Sequence, residues 1–506
     1  MTVTDGEFSL QETGPSAAER LRRTPRPAAV WVGVATALLL LEAGAVVEFV
    51  ASLSFDAVRT FNGVSALSVT VPLEPFASAR AAAAELPRLL SRKTIPNHGY
   101  YSVSAGEWVV DPVYYDGTRW VGTFLGLEPA HAWLVRVTLV YAYAATWLAW
   151  LWRGYTWYRE HYRVADWTPR DDVVDRLREH TWGLFGAVVV LLFLTTVVFG
   201  PTLATTTNQV NNANPYSYQI QYWDAEAESV ERISVGNANS KSTSDGDTNV
   251  GPWSYDEYGR FHPFGTMPSG QDLFTFIMFG ARLSLTIGLV TIGLSTLVAA
   301  SLAMVSAYYQ GRVDLLLVLL SDSILALPGL LLLIMLSVLL GSTWLANIYS
   351  GGLLLALIFA GTGWPGLWRA IRGPALQTAE RQWVDAARSF GQRPRTTMRK
   401  HILPYVTGYL LVYGSMSLGG VIIGIAGLSY LGLGINPPDP EWGRAIGLGQ
   451  PYIGTDSWHI SIVPGVLITV VVIGFNALGD GIRDAIDPQS DTDAADTGGV
   501  ERGGGA

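Results

Sequence analysis

The sequence has no cysteine, which excludes disulfides, thiolate metal sites and a cysteine nucleophile. Lysine is almost missing: Lys93, Lys241 and Lys400 are the only three among 33 basic residues, and the rest are arginine. Charged residues of both signs reach only 15%, against about 25% in an ordinary soluble domain. The balance is acidic, 33 basic against 42 acidic residues, for a net charge of −9. Such a chain does not attract phosphate backbones, so nucleic acid is not an expected partner. Scarce lysine with excess acid is the composition expected of a salt-adapted organism, an archaeal halophile. Catalytic constellations are missing too. There is no His-Glu-x-x-His. The nearest approach to a phosphate-cradling loop, Gly236 to Ser242 around Lys241, lacks its second glycine. Asp245 to Asn249, with Asp256 in the twelfth position, loosely resembles a calcium loop. Val250 stands where that loop needs glycine, so a solvated acidic turn is the reading and no metal is expected.

What is abundant is apolar. Hydrophobic residues make up 49% of the 506 residues. They lie in runs, and a membrane-crossing helix needs about 20 such residues. No charge occurs between Arg282 and Arg312, between Asp322 and Arg369, from His401 to Pro438, or from Ser457 to Gly479. Six core spans are predicted at 182–204, 283–307, 313–340, 351–372, 406–433 and 460–479. Two more are predicted upstream, at 28–53, which carries Glu42 and Glu48, and at 131–152, which carries Arg136. Those three charges read as interfacial groups or inter-helix pairs.

Arginine placement gives an orientation. Arg20, Arg22, Arg23 and Arg26 precede the first run, and the connections 153–181 and 373–405 are rich in arginine. With eight spans these segments share one side, so both termini are expected in the cytoplasm of a plasma-membrane protein. Residues 1–27 read as a tail. Loop 54–130 reads as an external subdomain with a helix over Ala77–Ser91, loop 205–275 as external with some strand, and 489–506 as an acidic, Gly-rich disordered tail.

Asp322 lies inside an apolar run. Ionisable groups at such depth are costly and point either to function or to a structural pair. Pro328, six residues on, lacks the amide donor and should kink the helix. In 373–405, Leu376 to Phe390 reads as one helix with Leu376, Trp383, Val384, Ala387 and Phe390 near one face. Gly391 suits the left-handed residue that ends it. Pro394 suits the first turn of a second helix, and Pro404 marks entry to the next span. An apolar ridge with a basic rim fits a groove on a partner; the alternative is an amphipathic surface loop.

The residues of this loop resemble the EAA motif of ABC-transporter membrane subunits. Asp385-Ala386-Ala387, Gly391 and Leu403-Pro404 stand at the family's spacing. Asp385 replaces glutamate, and His401 stands where the general pattern has isoleucine. His262 to Thr266, with Gly270 and Asp272, resembles a signature that precedes the second core span, with Met267 and Gln271 departing from it. Gly427 to Gly434, Pro437 to Gly443 and Asn476 to Pro488 are similar to the C-type permease subunits of dipeptide, oligopeptide and nickel ABC importers. The resemblance covers 182–488, and residues 1–181 show no part of it. It implies an all-α type I importer transmembrane domain of six core helices, with two added N-terminal helices. It also implies a transport subunit, not an enzyme. The implied partners are a homologous second permease in a heterodimer, two cytoplasmic ATPases that use the ATP, an external substrate-binding protein and membrane lipid. By the same resemblance Trp383, Asp385, Ala386, Ala387, Phe390, Gly391, His401, Leu403 and Pro404 form the ATPase-coupling loop, and Asp322 and Pro328 serve gating or structure. The cargo it implies is a di- or oligopeptide; the alternatives are an ABC importer of nickel or another small solute, and, from another class, an ion-coupled carrier using Asp322.

Overall fold

The computed structural model describes residues 17–45, 47, 72, 74–83, 86–102, 119–163, 165, 167–224, 226–242 and 249–486. Helices α1 (Ala17–Arg23) and α2 (Pro25–Leu41) open it, so the expected tail is helical from Ala17 onward. At 17 residues, α2 is shorter than the run 28–53. It stops where the Glu42 carboxylate accepts the Leu90 N–H at 2.6 Å. Glu42 therefore caps a chain segment, with the charge of Arg88 nearby; residues 46 and 48–53 of that run, Glu48 among them, lie outside the described residues. Helix α3 (Glu74–Ala83) starts before the expected Ala77, and the chain does not continue as helix to Ser91, because Pro87 disfavours helix at the residue before it. Strands β1 (Tyr100–Ser102) and β2 (Arg119–Val121) pair antiparallel.

Helix α4 (Pro129–His161) overshoots 131–152 at both ends. After α5 (Pro169–Glu179), the run 182–204 forms α6 (Thr181–Leu203). The next connection holds an antiparallel pair, β3 (Gln219–Asp224) with β4 (Ser229–Ser234), then α7 (Val235–Ser242) and a short pair, β5 (Ser254–Tyr255) with β6 (Phe261–His262). Helix α8 (Leu273–Tyr309) begins ten residues before 283, with Arg282 inside it, so the charge-free run understates its length.

The run 313–340 is not one straight helix. It is α9 (Gly311–Leu325) and α10 (Gly329–Leu340), bent by 84° at a break ending on Pro328. The sequence predicts a kink there, and the missing proline amide produces a full break. Asp314 near the start of α9 meets Arg372 near the end of the following helix, α11 (Gly352–Ala379). The exit of α10 leads to Ser350, beside the first turn of α11. The two halves therefore cross together as one broken span. Helix α12 (Gln382–Ser389), the long α13 (Pro394–Tyr430, with a wide turn at Met398–Ile402), α14 (Trp442–Gly449) and α15 (His459–Ile486) complete the chain. Among the described residues six helices are long and apolar enough to cross a membrane, the broken pair would make a seventh, and α2 is apolar but shorter. The all-α, multi-pass architecture stands. The tail 489–506 lies outside the described residues.

The bundle is held by close helix contacts. A Cβ on Gly186 of α6 would lie 2.3 Å from the Leu478 amide nitrogen of α15, so only glycine lets these helices meet. One core gathers Phe193, Phe276, Trp442 and Phe475 at the loop 205–272 side, and a second gathers Trp364, Trp368, Ile371 and Ile402 toward α12.

The N-terminal part is stitched to the end of α6. Four successive carbonyls where that helix runs out are taken by four side chains from 92–136. The Trp133 Nε1–H donates to Leu203 O at 3.1 Å and Arg136 Nη2 to Ala204 O at 3.0 Å. His98 Nε2 stands 2.5 Å from Thr205 O, and Arg92 Nη1 donates to Thr206 O. Arg136 also donates to Ile95 O and Asn97 Oδ1, both at 2.8 Å. Arg136 is wholly buried and pairs with carbonyls, not with a carboxylate as its place in an apolar run suggested.

Candidate functional site: the α11–α13 loop and the buried ionic cluster

The sequence expects a single helix from Leu376 to Phe390, and the structure splits it. Helix α11 continues through Leu376 to Ala379, and Arg381 is extended at ψ 142° before α12 begins. Good helix formers run across the break, so propensity gives no sign of it. The split changes the face. Leu376 belongs to the inner core, and Val384 is the only residue of α12 that is fully buried. Trp383 lies stacked on Tyr405 with ring centres 5.7 Å apart, capped by the Arg381 guanidinium at 5.8 Å. Arg388 lies 4.4 Å over the Tyr308 ring and donates from Nη2 to Tyr308 O at 3.1 Å, tying α12 to the end of α8.

The turn after α12 is as expected. Gly391 has φ +74°; its N–H donates to Arg388 O at 2.9 Å, and the Gln392 N–H donates to Ala387 O at 3.0 Å. Those two bonds form a Schellman turn, which needs the left-handed residue that glycine supplies. Phe390, at the end of the helix, is 90% exposed. Asp385 and Ala386 also face outward, and Ala387 is half-buried. Pro394 occupies the first turn of α13, which absorbs the expected short second helix. Pro404 is therefore inside a continuous helix and does not mark an entry. It is exposed, while His401 and Leu403 are half-buried and Ile402 is fully buried. The loop thus presents an apolar tip, Phe390, on a base anchored by Val384, Arg388 and Trp383, with exposed Arg393, Arg395, Arg399 and Lys400 along the next turns.

Behind this loop, Arg372 holds Asp314 with two bonds, Nε to Oδ1 at 2.7 Å and Nη2 to Oδ2, while the Ser306 hydroxyl donates to the same carboxylate. This triad fixes the α8–α9 corner to α11. Sequence reading missed it; Asp314 and Arg372 lay at the edges of charge-free runs. Asp322 is paired with Arg369, one helix away, with both side chains half exposed.

At the opposite end, the His262–Asp272 signature folds into a buried ionic cluster. His262 Nδ1 stands 2.9 Å from Asp272 Oδ1 and Nε2 stands 3.6 Å from Asp256 Oδ2. Asp256 also accepts from Arg260 Nε at 2.6 Å and from the N–H groups of Tyr258 and Arg260. Asp272 caps α8, accepting the Thr275 N–H at 2.7 Å and the Thr205 hydroxyl at 2.7 Å. Burial disfavours the His262 imidazolium, but the two carboxylates outweigh it and raise its pKa. Burial pushes Asp256 up, yet the His262 and Arg260 contacts carry its carboxyl well below the usual range. The carboxylate counted as the twelfth calcium position is therefore already engaged; residues 243–248 lie outside the described residues. Gly265 is left-handed at φ +81°, and a Cβ there would strike Val250 O at 2.5 Å. Met267, which departs from the signature, is fully buried in the outer core and serves as packing.

The pieces that resemble permeases thus occupy defined places in one helical bundle. A family profile described as the binding-protein-dependent transport system inner membrane component matches residues 283–491. A second, the N-terminal TM domain of oligopeptide transport permease C, matches residues 168–227. The chain is 33% identical over 228 residues to the glutathione transport system permease protein GsiD of Pectobacterium atrosepticum, covering 45% of this chain and 73% of that one. It is 36% identical over 231 residues to a peptide transport system permease protein of Brucella suis, 46% and 75% of the two chains. Against GsiD of Escherichia coli the figures are 34% over 228 residues, 45% and 72%. The chain belongs to the binding-protein-dependent ABC importer permeases. It is a membrane-embedded transport subunit. The second profile begins at residue 168, so the permease region takes in α5 as well as the run at 182, and α1 to α4 lie outside both matches.

Proposed function

We propose that this permease is one half of the translocation pathway of an ATP-driven importer of short peptides. It pairs with a homologous permease, two cytoplasmic ATPases and an external binding protein. The names of its relatives, glutathione and peptide transport permeases, support a peptide cargo; glutathione is itself a small peptide. The arginine-rich connections support cytoplasmic termini. ATP chemistry falls to the ATPases, and the permease supplies the surface on which they pull.

The observation that carries the coupling role is the exposed Phe390 at the end of α12, on a base fixed to α8 by Arg388 and to α13 by Trp383. An aromatic side chain left in water on a rigid base suits a pocket on a partner. Nucleotide-driven movement of that partner would pass through Arg388 to Tyr308, and so to the α8–α9 corner. Phe390→Asp should abolish co-purification of the ATPase and peptide-stimulated ATP hydrolysis, while the permease still folds. Gly391→Pro should do the same by removing the N–H that closes the turn. Full transport by Phe390→Asp without an associated ATPase would refute the reading.

A further inference from the structure

The N-terminal part carries a cavity that no permease role explains. It lies between α1, the start of α2 and the last turns of α4, holds about 380 Å³, and is lined by Leu21, Pro27, Trp31, Trp157, Tyr158 and Tyr162 among others. Its walls are fixed in advance. Trp31 Nε1–H donates to Trp150 O at 3.0 Å, and Trp150 Nε1–H donates back to Trp31 O at 3.2 Å. Tyr162 donates to Thr24 O at 2.6 Å and accepts the Ala28 N–H at 3.1 Å. A Cβ on Gly154 would lie 2.2 Å from Trp31 Nε1, so glycine is what lets the indole lie across α4. With these wall groups satisfied inside the protein, the space offers few partners to water and suits hydrocarbon.

Its height and rim say which hydrocarbon. Helix α4 has 33 residues, about 50 Å of helix, against an apolar layer of about 30 Å. Its last turns, which line the cavity, therefore reach headgroup level, where tryptophan and tyrosine collect. The rim is basic. Arg23 is paired with Glu19, and Arg159 with Asp171. Glu160 lies exposed near His161. Arg22 and Arg26 are exposed, Arg153 lies 4.9 Å over the Trp157 ring, and none of these three has a carboxylate partner among the described residues.

We propose that this cavity seats one anionic phospholipid, the first part of an acyl chain between Trp31 and Trp157 and the phosphate on Arg22, Arg26 and Arg153. Basic pockets between membrane helices hold such headgroups by the same combination of charge and apolar contact.

The test uses the full chain in nanodiscs doped with diazirine-tailed phosphatidylglycerol or phosphatidylcholine, with crosslinked peptides mapped by mass spectrometry. Labelling should concentrate on the peptides holding Trp31 and Trp157 to Tyr162, at least fivefold more for phosphatidylglycerol. The exposed pair Arg22→Ser/Arg26→Ser should bring the two lipids to parity, and Ala28→Trp should block labelling by filling the space. Labelling along α6 should be unchanged in both, which checks that the bundle is intact. Equal labelling by the two lipids in the wild type, or labelling at the cavity no denser than along α6, would overturn the proposal. Displacement of the label by millimolar glycerol phosphate would also overturn it, by making this a soluble-anion site.

Discussion

His262 concentrates the residue-scale physics of the outer face. It is almost fully buried between two carboxylates, and each of its ring nitrogens faces one. Removing one partner of a buried ionic set costs roughly 3–5 kcal/mol, so His262→Ala should lower the melting temperature sharply. The sign of the pH dependence follows from the two shifts. The raised pKa of His262 gives stability that is full below its ordinary 6.5 and is lost as pH rises through the folded value. The lowered pKa of Asp256 gives stability present above its ordinary 3.8 and lost as pH falls through the folded value. The cluster should be most stable between those two limits. Melting followed across pH should show the alkaline decline in the wild type and a flatter limb in His262→Ala. The signature containing His262, Gly270 and Asp272 was legible in the sequence. The third member, Asp256, was read only as part of a weak calcium pattern, because pairing across a β-turn leaves no trace in spacing.

At the scale of elements, the apolar runs were legible because lipid demands them, and the boundaries were not. Helix α8 extends through Arg282, and α13 starts at Pro394 instead of 406, since a helix can carry charge beyond the apolar layer. Pro328 was legible as a kink, for its missing amide is a local fact. The break at Glu380–Arg381 was not: nothing local forbids a helix there, and packing of Val384 and Trp383 against neighbouring helices decides it. The corner between α8 and α9 depends on a tertiary contact of the same kind. Arg372→Ala leaves the mostly buried Asp314 with only Ser306, at a cost of roughly 1–3 kcal/mol. Hydrogen exchange should then quicken at residues 306–316, and Arg372→Lys should restore part of the protection, because it keeps the charge without the two-pronged geometry. Unchanged exchange would mean the corner is held by apolar packing alone.

For the whole molecule, the division into a permease region and an added N-terminal part was legible from where the family pattern stops at 182, and the comparison moves that frontier to residue 168, before α5. How the two join was not legible, because Arg136 in an apolar run looks like half of an ion pair. Arg136→Met would keep the bulk and strand three acceptors, Ile95 O, Asn97 Oδ1 and Ala204 O. A loss of roughly 3 kcal/mol or more is expected. Exchange should rise together at 95–98 and at 204–206, the second patch lying outside the added part. A rise confined to 95–98 would show that α6 ends as firmly without it. The four donors that meet the end of α6 have a further meaning for history and for engineering. A helix tip whose carbonyls are answered by another segment cannot be handed that segment's absence for free. The added part is thus a cap as well as an addition: a permease left without it would need new donors, or water, at the four carbonyls of 203–206.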